Sequence, residues 1–223
     1  MNFSNTQAPK YPNTQYSPGR PMVGYLGAWV IGCFTLALAS PLQAQNTDGP
    51  ADASDAPELT EAADLAIERG LKYLLATQKP DGSWSTEEGR FETAGTSLSL
   101  MAFMVKGHFP GFGRHGEALD RAKEFLLEKA EASSTGYLGG MYEHGLYTLA
   151  LSELWGMTSD VKDNKRIQVA LERAVQVILR AQSPLGGWRY HARPDCGQDT
   201  SVTAMVFVSL ASARQAGILV PTE

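Results

Sequence analysis

From residue 59 onward, two kinds of hydrophobic pattern alternate along the chain. In the first, apolar residues recur at three- and four-residue spacing on a charged background. Leu59, Ala63, Ala66, Ile67, Gly70, Leu71, Leu74 and Leu75 make such a stripe, opened by Thr60 as a cap and Glu61 in the first turn. That spacing predicts an amphipathic helix. Segments 117–132 and 164–182 repeat the pattern. In the second kind, segments 96–106, 146–155 and 200–215 are apolar nearly all round, as in Leu98-Ser-Leu-Met-Ala-Phe-Met-Val105. Such helices are buried on most sides. Segments 79–82, 107–116, 136–140 and 183–198, rich in Gly and Pro, read as the loops between them. The expectation is an all-α domain over 59–223, with exposed helices outside and buried helices inside.

The alternation has a fixed period. Ala66-Ile-Glu-Arg69, Ala118-Leu-Asp-Arg121 and Ala170-Leu-Glu-Arg173 recur every 52 residues, each followed by an apolar tail: Tyr73-Leu-Leu75, Phe125-Leu-Leu127 and Val177-Ile-Leu179. Gln78-Lys-Pro-Asp-Gly-Ser-Trp84 and Gln182-Ser-Pro-Leu-Gly-Gly-Trp188 are 104 residues apart, two periods. In the middle copy Ala130 and Gly136 stand in place of Gln and Trp. Recurrence at this length marks a repeated supersecondary unit, a pair of helices per repeat. A fourth repeat would begin at residue 222, where the chain stops. Because repeat arrays need capped ends, the expectation is a chain incomplete at its carboxyl end.

Residues 1–20 form a polar leader, and 21–44 hold an uncharged apolar run with small-residue cleavage points at Ala37-Leu-Ala39 and Leu42-Gln-Ala44. Lys10 and Arg20 precede it. This reads as a signal peptide or membrane anchor that sends the rest of the chain out of the cytoplasm, with membrane association through 21–44. Residues 45–58 contain no large apolar side chain and read as a disordered linker. The net charge is −5 over 223 residues, and residues 45–223 hold 17 basic against 24 acidic side chains. An acidic balance without basic clusters excludes nucleic acid as a partner. The two cysteines, Cys33 and Cys196, fall on either side of the export boundary, so no intrachain disulfide is expected.

The Gln-x-x-Asp-Gly-Ser-Trp pattern at 78–84, set in this repeat, resembles the motif of the terpenoid cyclase and protein prenyltransferase superfamily, the squalene–hopene cyclase group. The resemblance covers about 59–218. It implies an α/α toroid of inner and outer helices, here a partial one of about three helix pairs. It also implies that Gln78, Gly82, Trp84, Gln182, Gly186 and Trp188 are structural staples. Members that cyclise polyenes protonate an alkene from an Asp-x-Asp-Asp-Thr motif. In Pro194-Asp-Cys-Gly-Gln-Asp-Thr200, Asp199 and Thr200 align with its end, Gln198 takes the place of the acid, and Asp195 is displaced by one residue. Members that transfer prenyl groups hold zinc through Asp, Cys and His, a set that Asp195, Cys196 and the absence of a later His do not complete.

If the inner helices run parallel, the residues just before them converge on one rim: Glu92, Glu143, His144, Tyr190, His191, Asp195 and Asp199. Helix amino termini favour anions, so Asp199 reads as a helix cap, and acid chemistry requires Asp195 and Asp199 to share a proton. The resemblance implies an apolar or isoprenoid ligand, held by Tyr190, His191, His144 and Glu143 at the rim and by Phe103, Tyr147, Met205 and Phe207 from inner helices. An enzyme of this kind would be an isomerase acting by acid-initiated polyene cyclisation. No cofactor and no metal are expected. The alternative is a non-catalytic extracytoplasmic scaffold whose rim binds protein or glycan.

Overall fold

A computed structural model of the chain describes residues 60–85, 89–158, 160–195 and 197–221. The leader, the apolar segment, the linker, Leu59 and Cys196 lie outside them. The described residues are helical, without a strand. The helices are α1 Glu61–Thr77, α2 Glu92–Val105, α3 Gly116–Ala132, α4 Met141–Leu154, α5 Val161–Ala181 and α6 Thr200–Gln215, with a short 3₁₀ turn at Gly113–His115.

Helix ends follow local chemistry. Thr60 Oγ1 accepts from the Ala63 N–H at 3.2 Å, and Asp160 Oδ1 accepts from the Lys162 N–H at 2.7 Å, each satisfying a first-turn donor. Two starts differ from the sequence expectation. α2 begins at Glu92 rather than 96 and α4 at Met141 rather than 146. Gly95 and Gly145 weaken the helical signal there, yet both stand where another segment presses in. A Cβ on Gly95 would lie 2.6 Å from the Trp84 carbonyl oxygen, and one on Gly145 would lie 3.0 Å from Met205 Cγ.

The apolar helices α2, α4 and α6 pack side by side, with α4 in the centre, and α3 and α5 pack on each other and back the row. Central α4 is enclosed along its length, from Met141 through Tyr147, Leu151 and Leu154. Its neighbours are not. Leu98 on α2 is 51% exposed and Phe207 on α6 is 67% exposed, because each of these helices has a flank with no further helix beside it among the described residues. α1 packs chiefly on α2 and fully buries only Leu71. Leu65 and Tyr73 of α1 stay exposed.

Charged side chains tie α3 to α5. Lys123 is almost fully buried, yet it pairs with Asp120 at 2.8 Å and with Asp163. Burial opposes its charge, but the bonds from the two carboxylates outweigh that and raise its pKa. Arg166 spans Glu124 at 2.6 Å and Glu131 at 2.7 Å. Solvent reaches that pair, so it contributes at most about 1 kcal/mol.

Candidate functional site

The two motif copies fold into corners that enter the inner helices. At the first, Trp84 is 5% exposed, its Nε1–H donates to the Leu74 carbonyl at 2.7 Å, and its backbone N–H donates to Thr96 Oγ1 at 3.0 Å. Gln78 Nε2 donates across the turn to the Gly82 carbonyl at 3.0 Å and to Ala118 of the next repeat at 2.8 Å. Its Oε1 accepts from Arg121 at 2.9 Å. Gly82 is required twice over: φ is +85°, and a Cβ would lie 2.3 Å from the Arg121 carbonyl oxygen. At the second corner Trp188 is also 5% exposed. It donates to Ile178 at 2.8 Å and to Thr203 at 3.0 Å, and Gln182 Nε2 donates to Gly186 at 2.8 Å.

The middle corner does the same work with other residues. Ser133 Oγ donates to the Tyr137 carbonyl at 3.1 Å, closing a turn of the same span as Gln78 to Gly82. Gly136 packs on the Arg173 side chain. Arg173 donates to Ala130 at 3.2 Å and to Ser133 at 2.5 Å. Arg121 and Arg173 of the Ala-apolar-acid-Arg repeat thus clasp the corner of the repeat before them. The sequence displays that recurrence without its purpose, because the partners, the Gln78 side chain in one case and the Ala130 and Ser133 carbonyls in the other, lie 40 or more residues away and are brought near only by the fold.

The amino-terminal ends of α2, α4 and α6 carry the predicted rim. Glu92 pairs with Lys79 at 3.1 Å and Lys129 at 3.5 Å. Glu143 of α4 accepts from the Ala94 N–H in the first turn of α2 at 3.4 Å. Burial raises its pKa more than that bond lowers it, and Glu92 adds repulsion. The Met141 N–H at the start of α4 donates to the Tyr190 carbonyl at 3.0 Å. Tyr190 Oη donates to Asp199 Oδ2 at 3.1 Å. Asp199 caps α6, accepting from the N–H groups of Ser201 at 3.0 Å and Val202 at 3.1 Å and from Ser201 Oγ at 2.6 Å. The Ser201 hydroxyl, the Val202 amide and Tyr190 hold its carboxyl below the usual range. Asp195 is exposed and 3.7 Å from Arg193. His191 is exposed. The groups acting on Asp199 are donors, and Asp195 is not among them, so the shared proton required for acid chemistry has no support here.

Several residues expected at one ligand are not brought together. His144 is not on the rim. It is fully buried, with Nδ1 3.4 Å from the Leu138 N–H and Nε2 3.1 Å from the Ala174 carbonyl. The first contact makes Nδ1 the acceptor, so Nε2 carries the proton and donates. Burial pushes its pKa down to about 4, and the neutral ring joins a loop, α4 and α5. Phe103 is closed in against His115, with ring centres 5.5 Å apart. Tyr147 is closed in beside His144 at 5.9 Å. Met205 lies half-buried against Gly145, and Phe207 faces outward. Close packing of α4 between its neighbours fills the space that a cavity shared by these four would need. Among the described residues no group of three or more His, Cys, Asp or Glu is arranged to hold a metal.

The larger concavities lie instead along the open flank of α5 and α6. One groove of about 650 Å³ is lined by Leu179, Trp188, Phe207, Leu210, Arg214 and Val220, among others. Beside it, Gln198, Asp199, Thr200 and Thr203 share a second hollow with Trp188 and Phe207. Nothing in the sequence marks this flank, since α6 has no polar face to show which side is uncovered. No protein-family model, curated protein or solved structure matches the chain.

Proposed function

We propose that the chain is a non-catalytic helical-repeat scaffold of the α/α-toroid kind, placed outside the cytoplasm by segment 21–44, that binds through the apolar flank of α5 and α6. The observation that carries this reading is the state of Asp199. A carboxylate that accepts from two backbone amides, a serine hydroxyl and a tyrosine hydroxyl is stabilised as the anion, the wrong form for protonating carbon. The close packing of Phe103 and Tyr147 supports it further, since a cyclase must enclose its substrate. The corners built on Gln78, Trp84, Gln182 and Trp188 support the resemblance to the squalene–hopene cyclase superfamily as one of architecture. A second reading has its own support: the groove beside Trp188 and Phe207 is apolar along much of its lining and suits an isoprenoid chain.

Incubation of purified protein with squalene tests both. The scaffold reading expects no cyclised product from wild type or Asp199→Asn. Because Asn is also a good cap, the variant should lose less than about 0.5 kcal/mol of stability, whereas Asp199→Ala should lose about 1 kcal/mol. Product from wild type that disappears in Asp199→Asn would overturn the scaffold reading. A prenyl lipid retained in native mass spectrometry, lost on Phe207→Glu, would favour the second.

A further inference from the structure

Between α2 and α3 the chain runs through residues 106–115, a longer connection than residues 155–160 between α4 and α5. The longer one carries His108 and His115, and neither ring joins the corners that link one helix pair to the next. The two rings stand at 90° with centres 4.7 Å apart. Phe103, fully buried on α2, floors the pair, 5.5 Å from His115 and 6.3 Å from His108. His108 Nε2 is buried with no hydrogen-bond partner among the described residues. An imidazolium must donate from both ring nitrogens, so this packing suits neutral rings.

The charges around the pair leave little to offset a proton. Arg114 adjoins His115 in the same connection, and His115 immediately precedes α3, whose amino-terminal end disfavours a cation. Glu68 of α1 is the carboxylate that favours charge on His115, but it already pairs with Arg114 at 3.3 Å. Other carboxylates of the flanking helices are engaged too: Asp64 of α1 with Lys106 of the connection, Glu117 of α3 with Arg121 at 3.2 Å, and Asp120 with Lys123 at 2.8 Å. The backbone, by contrast, can give way. Gly107 and Gly113 bracket the segment at φ +83° and +66°, and a Cβ on either would meet nothing within 4 Å. The His108 N–H donates to the Phe103 carbonyl at 3.0 Å and the Gly111 N–H to the Gly116 carbonyl at 3.1 Å.

We infer that His108 and His115 form an acid-operated latch: as neutral rings they hold the 107–115 connection down on Phe103, and protonation of the pair releases it. Two charges cannot be held at this separation, and a single one finds no free carboxylate to meet it. The direction at His115 agrees. Burial, then His108 and Arg114, lower its pKa, and Glu68 opposes them only in part. A group depressed in the folded state contributes fully above its unfolded value of about 6.5 and loses that contribution as pH falls through the folded value. Release uncovers Phe103 and the half-buried Phe109. The latch is independent of the groove on α5 and α6 and of the scaffold reading.

Hydrogen exchange on the full chain from about pH 7.5 to about pH 5, corrected for the intrinsic pH dependence of exchange, tests this across the range in which histidine titrates. Protection of the His108 and Gly111 amides should fall severalfold on acidification. The Trp155 and Met157 amides of the shorter connection, bonded to Leu151 and Leu154, should keep theirs. In His115→Phe, which keeps a ring against Phe103 and removes the titration, protection at 107–112 should no longer depend on pH. His115→Gln should behave alike, so either variant serves if circular dichroism shows the other unfolded. Unchanged protection in wild type overturns the latch. Equal loss in both connections overturns it as well, because acid then acts on the whole fold through His144. So does a loss that persists in the His115 variants or begins only near about pH 4, where protonation of Glu68 would free Arg114.

Discussion

At the scale of single residues, His144 shows how a polar side chain can serve the core. Its folded pKa of about 4 lies below the usual value of 6.5. The unfolded chain therefore binds a proton between those values that the folded chain does not. Its contribution is complete above about pH 6.5 and is lost as pH falls toward 4, roughly 3 kcal/mol over the window. Denaturant titrations across this range should show wild type losing stability faster than His144→Gln, and parallel slopes would contradict the assignment. Gln78 and Gln182 are identical in the sequence but unequal in place. The Gln78 side chain bonds Gly82, Ala118 and Arg121, whereas among the described residues the Gln182 side chain bonds only Gly186. Gln78→Ala should cost about 1–3 kcal/mol by leaving part-buried groups unpaired, and Gln182→Ala less than about 1 kcal/mol. Equal losses in chemical denaturation would show that the inter-repeat bonds contribute nothing.

At the scale of the element, glycine separates what a helix prefers from what its neighbours permit. Gly70 lies within α1, and a Cβ there would meet nothing within 4 Å. Gly70→Ala should stabilise the protein by up to about 1 kcal/mol through helix propensity alone. Gly95 lies within α2, and a Cβ there would stand 2.6 Å from the Trp84 carbonyl oxygen. That contact is with backbone, which cannot swing aside, so Gly95→Ala should destabilise by about 1–3 kcal/mol despite the same gain in propensity. Thermal melts of the pair should move in opposite directions. The amphipathic helices were legible because a charged background makes their periodicity visible. The starts of α2 and α4 were hidden by the glycines that let Trp84 and Met205 approach.

At the scale of the whole molecule, the repeat period turns three similar helix pairs into a row with two unlike flanks. The central pair is satisfied on both sides by its neighbours. The terminal pairs present the same side chains to solvent, which is why Leu98 and Phe207 are exposed on helices that read as buried. Open flanks of this kind are expected to make the terminal helices the first to open. Hydrogen exchange should therefore find slower amides in α4 than in α1, and uniform protection would count against the row as the unit of stability.

The sequence by itself determined the helix pairs, their period, the alternation of half-exposed and apolar helices, and the corner residues from Gln78 to Trp84 and Gln182 to Trp188. Periodicity, turn chemistry and motif spacing are local, and they survive in one dimension. Only the tertiary structure decided that His144 is a core residue rather than a rim ligand, that Tyr190 joins the cap at Asp199, and that Phe103 and Phe207 face different surroundings. Those outcomes depend on which segment lies within a few ångströms of a side chain, and an apolar helix does not announce which of its sides will be covered.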